Sequence, residues 1–87
     1  MDNLGAYALV RIRWVDADYI SGWHNTEPKH KPVVCQSVGW LIYDGDEAKV
    51  IAGHITEEDD PQRNGEMVIP PCSIIEMEII KPVDLSS

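Results

Sequence analysis

Eighty-seven residues give room for one core and not two. A folded chain of this size hides only about 60–65 % of the surface it exposes when unfolded, so self-association is expected to add to its stability. Hydrophobic residues make up 44 % and charged residues 25 % of the chain, a globular composition that excludes wholesale disorder. Its 15 acidic against 7 basic residues leave a formal net charge of -8. Nucleic acid and anionic membrane surfaces are thereby excluded as expected partners, because displacing counterions from phosphates takes clustered Lys and Arg; a basic protein would be attracted.

In the first periodic segment, Ala6 to Val15, the residues Ala8, Val10, Ile12 and Trp14 share one parity and Arg11 and Arg13 the other, which predicts a strand with one buried face. Asp16 to Pro32 is a long polar connection broken by Gly22, Pro28 and Pro32. It carries Tyr19, Ile20 and Trp23, and a loop of that length and content is either packed or functional. Val33 to Tyr43 is rich in β-branched and aromatic residues. The parity of Val34, Val38, Trp40 and Ile42, with Gln36 the polar exception, predicts the buried face of a second strand bent at Gly39.

Asp44-Gly45-Asp46-Glu47 is a hairpin turn that returns the chain as a third strand over Ala48 to Ile55. Thr56 to Gly65, with Glu57, Glu58, Asp59, Asp60 and Pro61, reads as an exposed acidic loop. Glu66 to Pro70 is a short strand, Pro71-Cys72-Ser73 interrupts it, and Ile75, Met77 and Ile79 then alternate with Glu76 and Glu78 in a half-exposed last strand. This element order, with the kink at Ile69 to Ile74 in place of a single helical turn, resembles the Src-homology-type and Sm-like barrels. The expected fold is all-β: a small five-stranded antiparallel barrel forming one domain over residues 1–87, with 1–5 and 83–87 frayed.

Cys35 and Cys72 lack CxxC spacing and no basic-then-apolar leader opens the chain, so both are expected to be reduced thiols in a cytoplasm. No apolar run approaches the ~18 residues of a membrane span. His24, His30, Cys35, His54 and Cys72 lack the paired spacing of zinc sites. Asp16, Asp18, Asp44, Asp46 and Glu47 lack the calcium-loop pattern. No metal or other cofactor is expected. Ser21, Ser37, Ser73 and the two thiols stand in no nucleophile motif, and Glu76 and Glu78 share a solvent face, where solvation explains them before acid–base work. The expected protein is not an enzyme.

Three Trp and three Tyr with no Phe give every ring a polar handle. Trp14 is expected in the core, while Trp40 suits core or site. Tyr19 and Trp23, on a loop with Gly22 and His24, either fold back on the body or face a ligand. Arg11 and Arg13 admit two readings. They grip the phosphate of a nucleotide whose base stacks on the rings, or they pair with Glu76 or Glu78 on a neighbouring strand. Asp16 suits an acceptor for loop amides. The candidate ligand-binding set is Arg11, Arg13, Asp16, Tyr19, Trp23, His24, Ser37 and Trp40.

The run Val10-Arg11-Ile12-Arg13-Trp14-Val15-Asp16-Ala17, then Gly22-Trp23, then Cys35-Gln36-Ser37-Val38-Gly39-Trp40-Leu41-Ile42, then Ile69-Pro70, is similar to a family of short uncharacterised proteins from phages and prophage regions. The resemblance implies a host-cell cytoplasmic setting and, by analogy with small acidic phage proteins, three roles. One is an anti-defence homo-oligomer that sequesters a nucleotide-derived immune signal. A second is an acidic inhibitor that docks on a host protein, with Glu57 to Asp60 on its face, and a third is a structural or accessory phage protein.

Overall fold

The computed structural model describes residues 7–17, 21–28 and 30–83; the termini expected to fray fall almost wholly outside them. Five strands form: β1 (Ala8–Asp16), β2 (Val33–Asp44), β3 (Lys49–Ile55), β4 (Arg63–Ile69) and β5 (Ile74–Lys81), with a 3₁₀ turn over Pro71–Ser73 before the last. They make one antiparallel sheet in the order β4-β3-β2-β1-β5. The helical turn between the fourth and fifth strands is thus present.

Closure is not. β4 and β5 are the two edges of the sheet and no ladder joins them, so the expected barrel is an open sheet. The sheet nevertheless coils. Laid flat, its edges would be about 19 Å apart at ~4.8 Å per strand. The link from Ile69 to Ile74 spans at most about 17 Å when fully extended, and less with a 3₁₀ turn in it, so the edges must converge at that end. The chain passes from β4 to β5 through Pro70 and Pro71, which have no amide hydrogen to give, so these two residues donate no bond between the edges.

The concave face of the coiled sheet holds the core: Ala8, Val10 and Ile12 from β1, Ile51 from β3 and Ile69 from β4, with Trp14, Leu41, Ile74 and Met77 packed against them. The period-two reading of β1 matches this face. The reading of β2 does not. In register, Val10 faces Gly39, Ile12 faces Ser37 and Trp14 faces Cys35, so it is the parity Cys35, Ser37, Gly39 and Leu41 that looks into the core. Val34, Gln36, Val38 and Trp40 stand on the convex face with Val15, Arg13, Arg11 and Leu9, and Val34 and Val38 are exposed.

The irregularity in β2 falls between Leu41 and Tyr43, where its register with β3 shifts, and not at Gly39, which stays in register with β1; Gly39 is buried, and a Cβ there would sit 2.8 Å from the Ala52 carbonyl oxygen and 3.2 Å from Ile51 Cβ. β4 begins at Arg63 rather than Glu66, because Gly65, which reads as a loop breaker, stays in the strand with φ +73. The acidic loop is shorter than expected and is tied at its base, where Thr56 N–H donates to Gln62 O at 2.9 Å and Gln62 N–H to Thr56 Oγ1 at 2.8 Å. In the β2–β3 hairpin Gly45 N–H donates to Ala48 O at 3.0 Å and Lys49 pairs with Asp44. Tyr43 donates its hydroxyl to Glu47 at 2.7 Å, a bond to a carboxylate that holds the phenol pKa above its ordinary value.

Candidate functional site

The sheet register decides what Arg11 and Arg13 do. On β5 they face Glu78 and Glu76, and on β2 they face Val38 and Gln36. Arg11 Nε donates to Glu78 Oε1 at 3.1 Å, its Nη2 to Glu76 Oε1 at 3.3 Å and its Nη1 to Gln36 Oε1 at 2.9 Å. Arg13 Nη1 donates to the same Glu76 oxygen at 3.4 Å. The bond to Glu78 leads the effects that raise the Arg11 pKa, so this guanidinium keeps its charge at any working pH. Two arginines and two carboxylates therefore form an internally neutral cross-strand row, the structural alternative read from the sequence.

Trp40 lies on the same convex face, half-buried, opposite Leu9 and Ala52. Ser37 is on the opposite, core-facing side. Its Oγ accepts the Trp14 Nε1–H at 3.0 Å and points its own hydrogen at Met67 Sδ, 3.9 Å away, so the polar handle of Trp14 is satisfied inside the sheet. Asp16 Oδ1 accepts the Ala17 N–H at 2.9 Å, the loop-amide role its position suggested. His24 Nδ1 and Thr26 Oγ1 share a hydrogen bond of 2.9 Å. Tyr19 lies outside the described residues. Trp23, on the loop between β1 and β2, is exposed at 105 % of its reference area, so no surface of the indole rests on the body of the protein.

The candidate set is thus divided: Arg11, Arg13 and Trp40 share the convex face, Ser37 faces the core, and Asp16, Trp23 and His24 belong to the loop that leaves β1. One member was missed. Gln36, set aside as a polar exception, completes the coordination of Arg11, and its parity, shared with Val34, Val38 and Trp40, was the available signal. A shallow open depression between the ends of β3 and β4 is lined by His54, Ile55, Thr56, Gln62, Arg63 and Asn64, but its arginine is committed to Glu66 at 2.8 Å.

No family model, curated protein or solved structure matches the chain. The residues alone carry the functional reading. Among the described residues, no three of His, Cys, Asp or Glu gather as a metal site, and no helix is long and apolar enough to cross a membrane. Cys35 and Cys72 are free thiols. What the arrangement offers chemically is a neutralised sheet face, exposed aliphatic side chains and one fully exposed indole.

Proposed function

We propose that the protein acts by binding rather than catalysis, as an acidic module that docks on another protein, in the phage or prophage setting implied by its motif pattern. Trp23 carries this reading. An indole left wholly in water on a loop gains about 4–6 kcal/mol when its ~150–250 Å² are buried, and tryptophan is among the residues that dominate interface energetics. The net charge of -8 favours a basic partner through steering.

Nucleotide sequestration has less support. The phosphate would have to displace Glu76 and Glu78 from Arg11 and Arg13, in a protein with few other basic residues to share the work.

Native mass spectrometry after incubation with host extract, followed by mild heating, separates the two readings. Docking predicts a protein adduct whose affinity falls as salt rises, and falls about tenfold or more in Trp23→Ala, while the thermal midpoint of that variant stays unchanged because its ring touches nothing. A nucleotide released on heating, with no protein adduct, would overturn docking in favour of sequestration.

A further inference from the structure

We infer that the free edge of β5 is the contact through which two copies of this chain associate. β5 has only one neighbour in the sheet, β1, so its far side presents backbone N–H and C=O groups without a strand partner among the described residues. Such an edge pairs readily unless something blunts it. Charge is the usual blunt, and here it is cancelled: Glu76 and Glu78 are held by Arg11 and Arg13, and Lys81 ends the strand. In a chain of net charge -8, the acidic side chains of this edge come with their own counter-charges, so a second copy meets little repulsion there. Along the same strand Ile75, Ile79 and Ile80 are 48 %, 57 % and 50 % exposed, and Val83 just beyond it is exposed as well.

The other edge is built differently. β4 pairs with β3 in unbroken register and its Glu66 is likewise held by Arg63, but it offers fewer exposed apolar side chains, Met67 and Val68, and it follows directly on the loop holding Glu57 and Asp60. In β5 the register shifts flank a regular stretch from Glu76 to Ile79, which limits pairing to a short central segment. Two copies that use the same edge meet about a two-fold axis, antiparallel and self-complementary, and the assembly closes at a dimer because both β5 edges are then occupied. The shortage of buried apolar surface in so small a chain gives that contact its driving force: among the described residues only Ala8, Val10, Ile12, Ile51, Ala52 and Ile69 are buried hydrophobics. This contact is separate from docking at Trp23, and Trp23→Ala leaves it intact.

Sedimentation equilibrium of the full chain from micromolar to millimolar concentration tests it. The expected result is a monomer–dimer equilibrium with no larger species. Ile79→Lys enters the interface twice, so at about tenfold per copy it weakens the dimer about a hundredfold, whereas Val68→Lys on the β4 edge changes nothing. Arg11→Gln with Arg13→Gln uncovers Glu76 and Glu78 in both copies; the dimer weakens at low salt and recovers at high salt as the repulsion is screened. This second variant decides the matter if Ile79→Lys fails to fold. A chain that stays monomeric throughout, species that grow past the dimer, dissociation by Val68→Lys but not by Ile79→Lys, or an arginine-pair variant that associates as tightly as the parent at low salt would each overturn the inference.

Discussion

Ile12 and Val38 are both aliphatic and both stand in the middle of paired strands, but they look to opposite sides of the sheet. Ile12 is fully buried among the core side chains, while Val38 is 56 % exposed on the convex face. Truncating Ile12 to Ala removes methyl groups that have close neighbours all round and should cost about 2–5 kcal/mol, a large part of the ~5–10 kcal/mol a chain of this size commands. Val38→Ala should stay within about 0.5 kcal/mol. Urea unfolding of the two variants measures both, and comparable losses would mean that the faces of β2 have been assigned the wrong way round. The arginine row follows the same logic, since each side chain meets what its cross-strand neighbours present and not what its own strand suggests.

At the level of elements, β1 was legible because only one of its parities is uniformly apolar, and the β2–β3 hairpin because Asp44-Gly45 marks its turn. The face of β2 was not legible. Both of its parities contain apolar residues, and the choice falls to β1, whose Val10 and Ile12 pull Gly39 and Ser37 to the inside; a small residue and a hydroxyl on the core side are what a sequence pattern discards first. The start of β4 was missed because Gly65 works there as an irregularity within a strand and not as its end. Barrel closure was beyond any side-chain pattern, because it depends on backbone groups at two edges. Of the candidate site, the pairing of Arg11 and Arg13 with Glu76 and Glu78 was readable as an alternative, and only the β1–β5 register turned it into a set of hydrogen bonds. Gly39 shows how tightly these elements meet: Gly39→Ala would drive its Cβ against the Ala52 carbonyl and should destabilise by about 1–3 kcal/mol, seen as a lower urea midpoint with an unchanged slope.

Over the whole molecule, the order β4-β3-β2-β1-β5 divides the chain into a run of sequential neighbours and one distant pairing. β2, β3 and β4 follow one another through short connections, whereas β1 and β5 come from opposite ends of the sequence. A chain stopped after Pro70 keeps four of its strands, yet it loses the strand that flanks Val10 and Ile12 along with the packing of Ile74 and Met77 on the core. It should give the circular dichroism of an unfolded chain, and a cooperative thermal transition in that fragment would show that β5 is dispensable. The same pairing sets a timetable during synthesis. β1 leaves the ribosome before β5 and waits for it, and until β5 has emerged the growing chain carries Val10 and Ile12 on an unprotected edge. Emergence of β5, and not of any earlier segment, is then the event that permits the fold, so a message that stalls or terminates before Lys81 yields a product suited to chaperones and proteases rather than a partly working protein.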